Sequence, residues 1–292
     1  MLEAGSWKLE ACPERRSAYG RRVGDPILRQ SSVQESEASI QKLMAVVEYD
    51  GADYLGFQVQ AQGATIQGEI ERALAAVTQE WSRIIGAGRT DAGVHAQGQV
   101  IAFSTAWRHP IEELQRALNA VLPKGIAVRE LRPVAQSFHP RFDAVSRKYR
   151  YTIFNQPLRS PLARRFAHHF PRPLDVVAMN EATGVLVGSH DFASFGRAPQ
   201  GDNTVREVYQ AQWTPEKPFV YFDIVANAFL YRMVRSLVGT LLLVGTGELS
   251  PDGFEEILRS ADRSRAGQVA PAHGLCLMKV NYGGLIGEDV YG

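Results

Sequence analysis

The sequence predicts an α+β fold built as two similar α/β halves, each a sheet with helices on one face. Three observations lead there. Residues 44–134 read as strand, helix, strand, strand, helix, strand, an order that stacks helices against a sheet. Residues 145–277 repeat that class. Hydrophobic residues make up 45% of the 292, enough for a real core in a chain that can hold one large domain or two ordinary ones.

Residues 1–41 carry mixed charge and little apolar periodicity, with turn formers at Pro13, Gly20, Gly24 and Pro26. They read as a flexible tail. The first strand, 44–49, ends at the turn signal Asp50-Gly51. After a loop with Tyr54, Phe57 and Gln58, Thr65 is placed to cap a helix. Its Ile66, Ile70, Ala73, Leu74 and Val77 recur at helical spacing, a stripe that belongs to the core. Ile84 and Ile85 then enter a glycine-hinged loop, and the alternating Val94, Ala96, Val100 and Ala102 leave it as a strand to about 104. Pro110 opens a second helix, with Ile111, Leu114, Leu118, Val121 and Leu122 inward, stopped by Pro123. Residues 128–134 suit a strand.

In the second half Val145, Arg147, Tyr149, Tyr151 and Ile153 share one face of a strand. A helix around 174–187 and strands over 205–213 and 219–226 follow. Phe229, Met233, Leu237 and Leu241 mark a helix to about 244, on which Arg232 and Arg235, three apart, share a flank. Ser250-Pro251 caps a last helix, and 270–277 enters a final strand. Cys276 reads as a small buried hydrophobe, and His190 as structural.

Composition narrows the function. No apolar run approaches a membrane span, and the start lacks the apolar core of a signal peptide. Cys12 and Cys276 offer neither a disulfide framework nor a zinc set, and the seven histidines lack ligand spacing. The expectation is a soluble, reduced, cytoplasmic protein without a metal. The formal net charge is +1, yet Arg141, Arg147, Lys148, Arg150, Arg159, Arg164, Arg165 and Arg172 face a single acid, Asp143, between 141 and 172. Such a run is usually a solvated face. Interleaved with Tyr149, Tyr151 and Phe154, it favours a surface that holds phosphates and stacks bases, and so an RNA partner.

The stretch Ile84-Ile85-Gly86-Ala87-Gly88-Arg89-Thr90-Asp91-Ala92-Gly93-Val94-His95-Ala96 admits three readings. It can be a turn whose Asp caps its own backbone. It can be a dinucleotide fingerprint, though Asp91 stands where the third glycine belongs and a strand follows instead of a helix. It can present Asp91 as a nucleophile or general base. Gly86, Gly88 and Gly93 would let the backbone bend and another molecule come close. Spacing alone leaves all three open.

The run from Gly88 to Ala96 resembles the signature of the tRNA pseudouridine synthase A (TruA) family, in which its Asp is catalytic. Met44 to Gly51, Phe138 to Tyr151, Ser189 to Phe195, Asn227 to Arg235 and Ala270 to Leu277 resemble further family blocks, in the family's order. The likeness covers about 44–285, so the tail is an extension the family does not need and Met44 is a candidate start. It implies tail, catalytic-loop half, second half and tail at 1–41, 42–146, 147–286 and 287–292, with the active-site cleft between the halves.

It also implies the reaction: uridine becomes pseudouridine at about positions 38, 39 and 40 of the tRNA anticodon stem-loop, reached by flipping the base out. No cofactor is needed, and the enzyme is a homodimer. Asp91 attacks the nucleotide or stabilises ribose C1′. Arg235 is its salt-bridge partner, orienting the carboxylate and favouring its charged form. Tyr149 stacks on the uracil and is a candidate to remove the proton displaced in re-aromatisation. Arg89 fills the vacated space. Arg147, Lys148, Arg150 and His95 complete the expected substrate-binding set.

Overall fold

The computed structural model describes residues 40–284. The tail expected at 1–41 lies outside them apart from its last two residues, as do Cys12 and the tail at 287–292. The first strand, β1 (Gln41–Tyr49), starts three residues before the expected position. It is followed by α1 (Ile66–Thr78), β2 (Ile85–Gly86), β3 (His95–Thr105), α2 (Ile111–Val121) and β4 (Ile126–Pro133). The second half supplies β5 (Ser146–Phe154), β6 (His168–His169), α3 (Val176–Gly184), β7 (Gly188–Asp191), β8 (Val205–Glu216), β9 (Phe219–Ala226), α4 (Met233–Gly245), α5 (Pro251–Ser260) and β10 (Leu275–Asn281).

Local chemistry explains the boundaries. Thr65 caps α1 by accepting from Gly68 N, and Ser250 caps α5 by accepting from Gly253 N. Proline sits at the cap of α2 and opens α5, where its missing N–H costs nothing. α4 departs from expectation. It begins at Met233, because Arg232 holds φ +62°, ψ 10° and interrupts the helical path. Phe229 therefore belongs to the loop before it, and Arg232 does not share a helical flank with Arg235.

The two halves join edge to edge in one mixed sheet of order β4-β1-β3-β10-β5-β9-β8-β7, with β2 also on β3 and β6 on β5. β10 makes the join, parallel to β3 at His95 and Ala96 and antiparallel to β5. β3 thus shares one edge between two neighbours, β10 at its start and β2 at Ile101 and Ala102. The loop carrying Asp91 spans the gap between β2 and β3. On β5 and β9, Tyr149, Tyr151, Phe222 and Ile224 are buried, while Lys148, Arg150 and Asp223 point to the opposite face, as strand alternation requires.

Candidate active site

Backbone and core bonds fix the loop. Ala87 N donates to Val100 O at 2.8 Å, and Phe57 N donates to Thr90 O at 3.1 Å. Thr90, buried, shares a 2.8 Å hydrogen bond with the Tyr49 hydroxyl. Gln99, fully buried in β3, donates to Gly88 O at 2.9 Å. Val94 N closes a turn onto Asp91 O at 3.1 Å, with Gly93 at φ +78°, a conformation glycine adopts without strain. The other two glycines serve differently. A Cβ on Gly86 would lie 2.6 Å from the Phe57 ring, whereas one on Gly88 would meet nothing within 4 Å. Gly88 alone borders open space.

The turn presents a carboxylate. Asp91 Oδ2 accepts from Arg235 Nη1 at 2.8 Å, and the side chains retain only 20% and 14% of their exposure. The Asp91 side chain caps no backbone N–H among the described residues, which sets aside the self-capping reading. The loop leads into β3 instead of a helix, which disposes of the dinucleotide fingerprint. Arg235 is itself fixed: its Nε donates to Ala270 O at 2.8 Å, and Ala270 N returns a bond to Arg235 O at 3.0 Å. Beside the pair lies Tyr149, 9% exposed, its ring meeting Phe229 edge-on at 5.0 Å. Burial raises the Tyr149 hydroxyl above its ordinary range, the Arg147 charge opposing and the Asp91 charge reinforcing this. The structure brings Asp91, Arg235 and Tyr149 together.

The remaining expected residues are engaged differently. Arg147 is half-buried and donates to four backbone carbonyls: Ala144 (3.1 Å) and Asn227 (2.7 Å) through Nη1, Ala87 (3.3 Å) and Arg141 (2.6 Å) through Nη2. One guanidinium so ties the segments that carry Asp91, Tyr149 and Arg235. Lys148 and Arg150 sit across the sheet, both on Asp223; Arg150 holds it through two bonds of 2.9 and 2.7 Å. His95 is 4% exposed. Its Nδ1 accepts from Gly51 N at 3.1 Å and its Nε2 donates to His273 O at 3.2 Å, with Asp50 Oδ1 3.1 Å from Nδ1. Burial lowers its pKa, Asp50 opposing. Arg89 is exposed and forms no ion pair among the described residues.

The basic run is also less open than its sequence implies. Besides Lys148 and Arg150, Arg165 pairs with Asp50 and Asp53, and Arg172 with Glu248 at 2.5 Å. Tyr151 is core, its hydroxyl donating to Pro271 O at 2.9 Å. The acids that neutralise the run come from far along the chain, so no local count could reveal them. Phe229 and Gln99 were missed as parts of the site. Gln99, a polar residue within an apolar strand, carried a readable signal; Phe229 passed for part of a helical stripe. Cys276 is a free thiol pushed up to about 12 by burial.

Among the described residues no cluster of histidine, cysteine and acids could hold a metal, and no helix is long and apolar enough to cross a membrane. The family described as tRNA pseudouridine synthase matches residues 45–143 and 182–283. Proteins named tRNA pseudouridine synthase A are close in sequence. That of Moorella thermoacetica is 47% identical over 243 residues, 82% of this chain and 99% of that protein. That of Roseiflexus castenholzii is 49% identical over 240 residues, 81% and 88%. That of Brevibacillus brevis is 46% identical over 244 residues, 83% and 100%. The match takes in the Asp91 loop, the β10 junction and the Arg235 helix alike, and the chain belongs to the tRNA pseudouridine synthase A family, whose members isomerise uridine to pseudouridine in tRNA.

Proposed function

We propose that this chain isomerises uridines at about positions 38, 39 and 40 of the tRNA anticodon stem-loop, with Asp91 as its catalytic carboxylate. The observation that carries the reading is the Asp91–Arg235 contact of 2.8 Å in a half-buried turn beside Tyr149. The reaction breaks the uracil N1–C1′ bond, turns the base and joins C5 to C1′. The C5 proton leaves and N1 gains one, so no electron enters or leaves and no redox partner is required.

Each group has a part to play. The Asp91 carboxylate attacks the nucleotide or counters positive charge at C1′, and either role requires a charged, oriented oxygen. Arg235 orients it with one arm while Ala270 fixes the other. Tyr149 supplies a ring for the uracil, and its hydroxyl, without a hydrogen bond among the described residues, is free for the substrate. Arg89, exposed two residues before Asp91, fills the place of the flipped base. Residues 42–146 and 147–286 act as the two walls of the cleft, and two copies of the chain bind tRNA together in the cytoplasm.

Pseudouridine mapping on unmodified tRNA tests this. Wild-type protein forms pseudouridine in the anticodon arm, and Asp91→Ala forms none. Equal modification by both removes Asp91 from its role; binding without modification by either leaves a tRNA-binding module.

A further inference from the structure

The loop between β9 and α4 and the loop between β7 and β8 each carry a cation that the isomerisation does not use. Arg232 and Arg197 both lay their guanidinium groups over the Tyr231 ring, with Cζ 4.9 and 5.9 Å from its centroid. All three side chains are exposed, Tyr231 by 42%. Neither arginine has a carboxylate within ion-pair distance among the described residues. This contrasts with Lys148, Arg150, Arg165 and Arg172, each of which is met by an acid. Two like charges on one ring repel, and among the described residues no ion pair offsets that repulsion.

The arrangement is held from several sides. Arg197 and Tyr231 oppose each other in an isolated antiparallel bridge, with Tyr231 N donating to Arg197 O at 2.9 Å. Gly196 permits the approach, since a Cβ there would lie 2.6 Å from Leu230 Cβ and 2.9 Å from Tyr231 O. Arg232 stands in the left-handed region at φ +62°, where a non-glycine residue persists only if its surroundings over-determine it, most often at functional sites. The same loop gives the Asn227 carbonyl to Arg147 and the Phe229 ring to Tyr149, and three residues past Arg232 stands Arg235. The unpaired cations therefore border the candidate active site.

We infer that Arg197, Tyr231 and Arg232 form a binding site for a phosphodiester of the RNA substrate, close to the nucleotide that is turned out. The inference rests on tRNA being that substrate. Guanidinium forks match phosphate oxygens in geometry and charge. Stacking on the ring orders both side chains in advance, so less freedom is lost on binding. RNA is favoured over an acidic peptide because the adjoining residues act on a nucleotide, whose neighbouring phosphates must lie alongside.

The experiment compares wild type, an Arg197→Gln/Arg232→Gln double variant, Tyr231→Leu, and Arg259→Gln as a control for lost surface charge. Binding and turnover of an unmodified tRNA transcript are measured between about 50 and 200 mM salt. The double variant should bind about tenfold more weakly, with a log–log salt slope shallower by about one, while kcat at saturation stays within about twofold. Tyr231→Leu should show part of that loss, and Arg259→Gln none. An unchanged affinity and slope would overturn the site. So would a fall in kcat with binding intact, which would show that the residues act only through Arg235. Wild type that neither binds nor modifies tRNA would instead bring down the parent reading; normal wild-type activity beside an unaltered double variant brings down this site alone.

Discussion

Arg235 meets Asp91 with one arm of its guanidinium and the Ala270 carbonyl with another. The proposed catalytic pair is thus anchored to the segment just before β10, and the fork matters as much as the charge. Arg235→Lys keeps the charge but offers one ammonium for two sites. Its kcat should fall by about 10- to 100-fold, the worth of one charge-assisted hydrogen bond. Arg235→Ala should fall at least as far, with tRNA affinity within about threefold in both. Single-turnover kinetics and filter binding separate the two quantities.

Tyr149→Phe separates the ring from the hydroxyl. That hydroxyl makes no hydrogen bond among the described residues, so folding stability should change by less than about 0.5 kcal/mol. Stacking needs only the ring, and tRNA should still bind. If the hydroxyl moves the C5 proton, turnover should fall by about 100-fold or more. Full turnover in the variant would confine Tyr149 to stacking.

Arg147 should behave as a positioning residue. Arg147→Lys cannot reproduce four hydrogen bonds aimed from one planar group. Stability in urea should drop by roughly 2–4 kcal/mol. In the fraction that remains folded, kcat should fall by about tenfold or more, because small displacements of reacting groups are costly, while the tRNA dissociation constant changes little. Were Arg147 a direct substrate contact, affinity would fall instead.

Acid should weaken the fold through its buried histidines. His168 is held down to about 4 by burial, with His273 and His169 adding repulsion. His95 and His273 are lowered as well, again by burial first. An unfolded histidine titrates near about 6.5, so below that the unfolded chain takes up more protons than the folded one. The stabilisation is complete above about 6.5 and is lost as pH falls toward about 4. Melting temperatures should decline across that window, and His168→Gln should flatten the decline.

The elements were legible because caps, prolines and apolar spacing are local signals. Thr65, Pro110 and Ser250 announced their helices, and α1 starts directly after Thr65 and takes in its whole predicted stripe. Asp91, Tyr149 and Arg235 were singled out through the family likeness; spacing alone had left three readings of the loop open. What stayed hidden is long-range. The acids that quench Arg165 and Arg150 lie 115 and 73 residues away, and the carbonyls that hold Arg147 are backbone groups with no sequence signature. The left-handed twist at Arg232 hid behind a convincing helical stripe.

The place of β10 has a consequence for synthesis. Among the described residues it is the last strand in chain order, yet it fills the middle of the sheet between β3 and β5. While the chain is still on the ribosome, both strands present open edges that invite wrong partners until it arrives. Ala270, which steadies Arg235, emerges only shortly before. A nascent chain that already carries Asp91, Tyr149 and Arg235 therefore still lacks the Ala270 contact that steadies Arg235, and the proposed site is completed only when this junction forms.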